Sequence, residues 1–330
     1  MLKWGFMYRL LLAVFLLAAT RAPAQDVTLK LATLAPVGSS WHVLLKELGE
    51  RFAQASDGTL KVKIYAGGTQ GTEGDMVRKM GIGQLQAASL SNIGLHDLAT
   101  EPMVFSVPGM ADEATATSML GRVRVRMESA LEAKGYVVLQ WAEIGTVYIF
   151  CTEPYRTPEE AGRGKFFVWE GDPGSVKAFE AIGMRPVVLA STDIAPALAT
   201  GMITCLTQVP AYVLATRVFE KTNAMVDYPW SYLIGATVVR KDAWEKLDPG
   251  LRVKLLDIAR EVGAKVDVEV KRLNADAIEA MKKQGLSVVK VEAAPWQKAA
   301  ERAWPVVRGA VVPSDFFDEV VKVRRAVRQP

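Results

Sequence analysis

One stretch near the C-terminus constrains the fold more than any other, because the residues from Ala243 to Gln284 can form a helix longer than a small domain. Apart from Pro249 and Gly250 near its start, the stretch has no strong helix breaker before Gly285. Apolar residues recur in it at helical spacing, at Val253, Leu256, Ile258, Val262, Val266, Val270, Leu273, Ile278 and Met281. An unbroken helix would be about 60 Å long. Such a helix can run along two lobes and act as a spine across their hinge; an ordinary broken pair of helices is the alternative.

The first third of the chain alternates strands and helices. Asp26–Leu34 and Leu60–Tyr65 alternate apolar and polar residues with the period of a strand, and Ala87–Leu90 has the composition of a short buried strand. Helices are predicted from Trp41 to about Ser56 and from Glu73 to Gly83. This β-α-β-α-β order predicts a parallel or mixed sheet with helices on both faces.

The alternation continues through the rest of the chain. Strands are predicted at Val137–Trp141, Thr146–Phe150, Phe166–Trp169, Pro186–Leu189, Ile203–Gln208, Leu233–Arg240 and Leu286–Val291. Helices are predicted at Ala114–Lys134, from Thr157, and at Gly174–Ile182, Thr192–Thr200, Trp296–Val307 and Asp315–Arg325. The fold class expected from this order is α/β.

The N-terminus has the parts of a secretory signal peptide, which we predict to span residues 1–24. Lys3 and Arg9 form a sparse basic region, an apolar run too short to span a bilayer follows, and the Ala-Pro-Ala sequence at 22–24 offers a cleavage site. The mature chain would begin near Gln25 or Asp26, in an exported compartment. A membrane anchor left in place is the alternative.

Loss of this segment removes most of the apparent basicity. The chain has 40 basic and 36 acidic residues and a net charge of +4, but the leader holds Lys3, Arg9 and Arg21 and no acid, which leaves about +1. A charge so near zero does not indicate nucleic-acid or membrane binding. The remaining length of about 306 residues exceeds a usual single core and predicts two domains. The two cysteines, Cys151 and Cys205, could form a disulfide or remain two free buried thiols, and the sequence leaves both possibilities open.

Five motifs occur in an informative order along the chain. They are LKLATLAP at Leu29–Pro36, MVRKMGIGQLQAASLS at Met76–Ser91, TPEEAGRGKFFV at Thr157–Val168, ALATGMITCLTQVP at Ala197–Pro210 and WEKLDPGLR at Trp244–Arg252. Together they resemble the periplasmic solute-binding proteins of tripartite ATP-independent (TRAP) transporters, the DctP-type extracellular solute-binding family 7. The resemblance covers roughly residues 26–325.

The resemblance implies a two-lobe periplasmic-binding-protein fold with a central ligand cleft and a long helix spanning both lobes. We expect lobe I at 25–146 plus 234–260, lobe II at 147–233 plus 285–330, and the spanning helix at 243–284. It also implies delivery of a small organic solute to a TRAP membrane permease, without catalysis. Some relatives work with a periplasmic helical-repeat protein that handles hydrophobic or lipid-like ligands, and such a partner is the alternative function.

Two positions depart from the family pattern where the ligand is expected. The G-x-R and K-x-R-V patterns of the family usually supply two arginines that clamp a substrate carboxylate, whereas this chain has Val147 and Phe167 there. Arginine offers a carboxylate two parallel hydrogen bonds, and these side chains offer none. We therefore expect a largely apolar cleft that takes a more hydrophobic ligand than a C4 dicarboxylate, namely a largely apolar solute or a monocarboxylate. A plain core strand at Phe166–Trp169 is the alternative.

Strand periodicity assigns faces to the residues around these positions. Phe167 and Trp169 should share one face of their strand, and Val147 and Tyr148 should lie on opposite faces of theirs. Trp169 leads into a polar loop, which favours a place in the pocket. Thr204 also departs from the family, which has an aspartate there.

Further ligand contacts are predicted in loops and at strand ends. Trp41 follows the first strand-to-helix loop, Asn92 ends the third strand, and Asp172 could select a cation or a hydroxyl group. Three more predicted ligand contacts come from around the later strands: Gln208, Tyr212 and Trp230. For each of these residues, helix packing, a surface loop or the core is the alternative.

No enzyme signature is present. The glycine-rich GGTQG at 67–71 lacks the Lys-Ser/Thr of a P-loop, no G-x-S-x-G elbow occurs, and no Cys or His stands at zinc-ligand spacing. Cys151 has no evident histidine partner in the sequence. We expect no catalytic residue, no cofactor, no metal and no nucleic-acid partner.

Overall fold

A computed structural model describes residues 26–170, 172–190 and 193–328. The predicted signal peptide, residues 1–24, lies outside the described residues. Within the described ranges, no helix combines the length and the apolar character needed to cross a bilayer.

The first lobe is built on three parallel strands. They are β1 (Val27–Thr33), β2 (Leu60–Tyr65) and β3 (Ala87–Ser91), with β1 in the middle. The helices are α1 (Ser40–Ala55), α2 (Glu73–Gly81), α3 (Asn92–His96) and α4 (Ala116–Ala133), with a 3-10 helix at Glu101–Ser106. Side chains set two of the helix starts, because Ser39 caps α1 and Thr72 forms a capping box with Asp75 at α2. The predicted β-α-β-α-β order is confirmed.

Two long antiparallel strands run from the first lobe into the second. They are β4 (Tyr136–Cys151) and β8 (Ala224–Arg240). The prediction of two separate strands within β4 was wrong, because the chain stays extended through Gly145, whose φ of +120° and close approach to Asn274 suit glycine. The predicted start of β8 at Leu233 was also wrong, by nine residues.

The second lobe continues the same sheet. Its strands are β5 (Lys165–Trp169), β6 (Arg185–Leu189), β7 (Cys205–Gln208) and β9 (Ser287–Val289), and its helices are α5 (Pro158–Ala161), α6 (Pro173–Ile182), α7 (Ile194–Ala199), α8 (Pro210–Ala215) and α9 (Phe219–Thr222). The strand order is β2-β1-β3-β8-β4-β7-β5-β6, and β9 pairs with β8. Cys151 and Cys205 are partners in the β4–β7 register and form a disulfide, which decides the alternative that the sequence left open.

The predicted spine is one uninterrupted helix. After a short helix α10 (Lys241–Trp244), α11 runs from Pro249 to Lys283, 35 residues, or about 52 Å. It begins later than the predicted Ala243, because Asp248 caps a new start with Pro249 at its first position. Its first half packs in the apolar core of lobe I, whereas Met281 packs in lobe II.

Three helices close the chain. They are α12 (Ala293–Glu301), α13 (Trp304–Val307) and α14 (Ser314–Arg328), so that the predicted helix at Trp296–Val307 is split in two. One apolar cluster joins residues of these helices to Phe105 and Met119 from the first lobe and to Phe166 and Phe179 from the second. The lobe boundaries given above stay a prediction.

Candidate ligand cleft

The carboxyl ends of the parallel strands of both lobes meet the same part of β4. In lobe I, Ser91 at the end of β3 is in register with Gly235, which pairs with Ala142. In lobe II, Gln208 at the end of β7 pairs with Tyr148. The six residue steps from Ala142 to Tyr148 span about 20 Å. Ligands of open α/β sheets bind outside the carboxyl ends of strands, so the candidate cleft lies along this segment.

Four of the predicted ligand residues lie in one aromatic group. Phe167 packs edge-to-face on Trp169, with 5.1 Å between ring centroids. Tyr148 and Tyr212 pack against the same apolar cluster of lobe II. Phe167 is 1% exposed, whereas the other three are partly buried. Burial raises the pKa of both tyrosine hydroxyls. We call these four residues the aromatic group; its three partly exposed members can meet a ligand.

The two positions that lack arginine lie in different apolar clusters. Val147 is 4% exposed and belongs to the cluster that contains Phe166, and Phe167 belongs to the other. This confirms the predicted alternation of faces along both strands. Trp230 lies in the cluster of Val147, 2% exposed, between Phe179 at 6.0 Å and Trp296 at 6.4 Å. The surroundings of both Val147 and Trp230 are therefore apolar.

The predicted polar contacts make structural hydrogen bonds of their own. The Asp172 carboxylate caps α6, accepting from Ser175 N at 2.9 Å and Ser175 Oγ at 2.6 Å. Gln208 Oε1 accepts from Val209 N at 2.9 Å. Thr204 Oγ1, where the family has aspartate, accepts from Lys165 N at 2.9 Å. The Asp172 and Gln208 bonds lie at the carboxyl ends of β5 and β7, whereas the Thr204 bond joins the amino ends of the same two strands.

Asn92 and Trp41 lie at the carboxyl ends of the lobe I strands. The Asn92 side chain is fully buried and donates to Ser106 Oγ, but its Oδ1 has no partner among the described residues. A buried unsatisfied polar atom costs about 1–3 kcal/mol, so Asn92 Oδ1 would gain from a donor brought by a ligand. Trp41 is partly buried in the first turn of α1, next to Ser40, which donates to Glu269 on α11.

A buried acidic site behind the cleft was not predicted from the sequence. Glu143 of β4 is 1% exposed. Its carboxylate accepts hydrogen bonds from Thr117 of α4 and Tyr232 of β8, and Lys271 Nζ of α11 lies 3.3 Å away. Asp267 Oδ1 accepts from Glu143 N at 2.7 Å. We call these five residues the Glu143 cluster. Burial and the Glu143 carboxylate raise the pKa of Tyr232 far above its usual value, so the phenol stays a donor.

Replacing Asp267 by asparagine should change how stability depends on pH. Burial raises the pKa of Asp267 from 3.8 to about 6, with a further rise from Glu143, while the Glu143 N–H and Lys271 oppose it. A raised acid pKa stabilises the folded state at low pH, fully below about 3.8, and this contribution is lost as the pH rises through about 6. Asparagine keeps an acceptor for Glu143 N–H without the charge. The difference in stability between the variant and the wild type should therefore shift in favour of the variant when the pH is raised from about 4.5 to about 7.5.

Urea unfolding at both pH values measures this effect. An equal difference between variant and wild type at the two pH values would contradict it.

Comparisons with known proteins agree with this architecture. The family described as "Bacterial extracellular solute-binding protein, family 7" matches residues 31–310. The chain is 24% identical over 255 residues to the 2,3-diketo-L-gulonate-binding periplasmic protein YiaO of Escherichia coli, covering 76% of this chain and 77% of that protein. It is also 24% identical over 268 residues to the C4-dicarboxylate-binding periplasmic protein DctP of Rhodobacter capsulatus, covering 77% of each.

Solved structures share the fold. A TRAP periplasmic solute-binding protein from Pseudomonas putida F1, with bound D-glucuronate, has a TM-score of 0.82 at 21% identity and covers 92% of this chain and 97% of its own. One from Desulfovibrio salexigens, with bound orotic acid, has a TM-score of 0.82 at 17% identity and covers 91% and 98%. The relatives are solute-binding proteins and not enzymes. From the family match over most of its length, the chain belongs to the bacterial extracellular solute-binding protein family 7, the binding proteins of TRAP transporters.

Proposed function

We propose that the protein binds a small organic acid with a large apolar part, most simply a monocarboxylate, and delivers it in the periplasm to a TRAP membrane permease. The observation that carries this proposal is the aromatic group at the carboxyl end of the lobe II sheet, together with Val147 and Phe167 in the place of two arginines. Trp41, Asn92, Asp172, Gln208 and Trp230 stay predicted contacts.

The energetics favour an apolar ligand at such a surface. Burying one aliphatic or aromatic group contributes about 1.5–3 kcal/mol. A second carboxylate without a cationic partner would pay an uncompensated desolvation cost. The acids bound in the two solved relatives, D-glucuronate and orotic acid, each carry one carboxyl group. The hydroxyl groups of Tyr148 and Tyr212 stay neutral donors for a single carboxylate, because burial raises the pKa of both.

Exposed apolar side chains beside the first strand-to-helix loop suit contact with a partner. Leu34, Val37 and Val43 are 44%, 75% and 55% exposed. Singly exposed apolar residues are ordinary, but a group of them often marks an interaction site. The permease is the partner that the family implies, and a helical-repeat protein is the second candidate. Size-exclusion chromatography of the purified chain with each candidate distinguishes them.

The first experiment is a native mass spectrum of the protein purified gently from periplasm, with identification of whatever is released on denaturation. A co-purified apolar acid supports the proposal. Thermal-shift titration with phenylacetate, hexanoate and succinate then compares ligand classes. At a ligand concentration of about 100 Kd, binding adds about 2.7 kcal/mol of stability. Tight binding of succinate or malate without binding of the apolar acids would contradict the proposal.

A further inference from the structure

One side chain of the long helix joins two segments that meet at the candidate cleft. Asn274 of α11 is partly buried. Its Nδ2 donates to Ile144 O of β4 at 3.1 Å, and its Oδ1 accepts from Ala211 N of α8 at 3.0 Å. A side-chain amide has a donor end and an acceptor end, and here a carbonyl and an N–H group determine which end faces which partner. Both ends of the Asn274 amide are therefore used.

The acceptor end of Asn274 caps a helix that has no cap of its own. Ala211 lies in the first turn of α8, where no earlier helical carbonyl can accept from its N–H group. The helix begins with Pro210, and the preceding Val209 has no side-chain acceptor. The next two N–H groups along the helix both bond to the Val209 carbonyl. Asn274 thus supplies from α11 the acceptor that the first turn of α8 lacks.

The donor end of Asn274 holds β4 at an irregularity of the strand. The register of β4 with β8 shifts between Glu143 and Gly145, and Ile144 has no register partner on β8. At Gly145, where φ is +120°, an added Cβ atom would overlap Asn274 Nδ2. The helix therefore approaches the strand as closely as a glycine allows. This end of the amide is fixed to the segment of β4 along which the candidate cleft lies.

The turn that Asn274 caps carries a member of the aromatic group. Tyr212 directly follows Ala211 and packs against both apolar clusters, the one that contains Phe166 and the one that contains Phe167. Its side chain is partly exposed, and burial raises the pKa of its hydroxyl, which stays a donor. A displacement of the first turn of α8 would move this side chain relative to β4. The place of Tyr212 in the cleft therefore depends on how that turn is held.

We propose that Asn274 is a positioning residue for ligand binding: its amide ties the first turn of α8 to β4 and so holds Tyr212 where it meets the ligand. The inference rests on the proposed function in that it takes Tyr212 as a ligand contact. A contact that is ordered before binding costs less entropy on binding, and the apparent affinity falls with the fraction of molecules in which the turn is displaced. Asparagine is a poor helix former, so these two bonds, rather than helix propensity, favour it within α11.

Two substitutions separate the two ends of the amide. Asn274→Ala removes both bonds. Asn274→Asp has nearly the same shape and keeps an acceptor for Ala211 N–H, but at neutral pH it sets a carboxylate oxygen against Ile144 O. Burial beside a carbonyl raises the pKa of the introduced carboxyl, so its protonation should restore a donor when the pH is lowered from about 7.5 to about 5. Asp276→Ala is the matched control, because Asp276 pairs with Arg272 on the exposed side of the same helix.

Nuclear magnetic resonance of the full mature chain measures each end of the amide by itself. Hydrogen exchange at Ala211 should become about tenfold faster in Asn274→Ala and stay near the wild-type rate in Asn274→Asp. The Gly145 amide belongs to the same peptide group as Ile144 O, so its chemical shift should change with pH in Asn274→Asp. The ring resonances of Tyr212 should follow the same titration, because the turn moves back as the second bond forms.

Other titratable groups near the amide are present in the wild type as well. Of the residues one helical turn from Asn274, only Lys271 is charged. Glu143, which precedes Ile144, bonds through its N–H to Asp267, and Tyr212 follows the capped residue. Because these groups titrate in both proteins, a wild-type pH series measured in parallel removes their contribution.

Titration with phenylacetate tests the consequence for binding. The Kd should rise about five- to tenfold in Asn274→Ala, and equally in Asn274→Asp at pH about 7.5. In Asn274→Asp the ratio of its Kd to that of the wild type should fall toward one at pH about 5. Taking the ratio at each pH cancels the protonation of phenylacetate itself. Asp276→Ala should bind as the wild type does.

Four results would overturn the positioning role. Unchanged exchange at Ala211 in Asn274→Ala would mean that α8 does not need this cap. A wild-type Kd in Asn274→Ala despite faster exchange would mean that the turn does not position a ligand contact. A loss in Asn274→Asp that persists at pH about 5 would indicate general damage to the helix. Ring resonances of Tyr212 that ignore the introduced carboxyl would overturn the role whether or not phenylacetate binds.

A wild-type chain that binds succinate and not phenylacetate would overturn the proposed ligand class alone. The same ratios would then be measured with succinate, so the test of Asn274 and the test of the ligand class can fail separately.

Discussion

Replacing Glu143 by alanine should lower the free energy of unfolding by about 2–4 kcal/mol. The carboxylate is 1% exposed and accepts hydrogen bonds from Thr117 and Tyr232. Its removal leaves the buried Tyr232 hydroxyl without its acceptor and takes away the anion beside Lys271, 3.3 Å distant, whereas Thr117 is exposed and can bond to water. Lys271 is partly exposed and can regain water, so most of the loss comes from the unsatisfied Tyr232 hydroxyl and from the cavity. Urea unfolding at neutral pH measures it.

Glu143→Gln is the matched control. Glutamine has almost the same shape and keeps one acceptor oxygen, so it should cost less than alanine, while still losing the charge opposite Lys271. Alanine should also cost more than glutamine when each substitution is combined with Lys271→Met. The charge opposite Glu143 is then absent, and only the hydrogen bonds and the shape of the side chain differ. A loss under about 1 kcal/mol for Glu143→Ala would show that the Glu143 cluster contributes little to stability.

Replacing Phe167 by alanine should lower the free energy of unfolding by about 3–5 kcal/mol. The ring is 1% exposed and packs with Phe150, Leu206 and Trp169 in the core of lobe II. Removing it leaves a cavity between three strands that cannot close fully, because β5 is held by β6 and β7. Thermal and urea unfolding should agree on the size of the loss.

Trp169→Ala separates ligand binding from stability. Trp169 lies on the same face as Phe167 but is partly exposed at the end of β5. We expect a smaller stability loss, near 1–2 kcal/mol, and a larger loss of affinity for apolar acids. Titration of both variants with the ligand identified by mass spectrometry decides this. If Trp169→Ala binds that ligand as well as the wild type does, Trp169 lies outside the cleft.

Local patterns predicted most elements of the fold, and long-range pairing explains the errors. The β4 segment from Ala142 to Thr146 has no clear period of two and contains Gly145, which suggested a break; pairing with β8 carries the strand through it. Residues before Leu233 include Pro229, which argues against a central strand. The β4–β8 register shifts between Val147 and Ile149, so that Pro229 lies where no ladder partner is required.

The candidate site was also predicted only in part from the sequence. Period two along β4 and β5 correctly assigned Val147, Tyr148, Phe167 and Trp169 to their faces, because a strand fixes the direction of each side chain. It could not tell how deep each side chain lies. The Glu143 cluster was missed because Thr117, Tyr232 and Lys271 are far from Glu143 in sequence. A lone acid in an apolar strand was the available signal.

The shared helix α11 makes the two lobes depend on each other for their folding. Leu255, Ile258 and Val262 pack in the core of lobe I, and Met281 of the same helix packs in the core of lobe II. Neither half retains an intact core when this helix melts, so partly unfolded forms with one lobe preserved are disfavoured. A chain whose length alone suggests stepwise denaturation is thereby built to lose its structure in one cooperative event, and truncation within α11 should abolish both halves together.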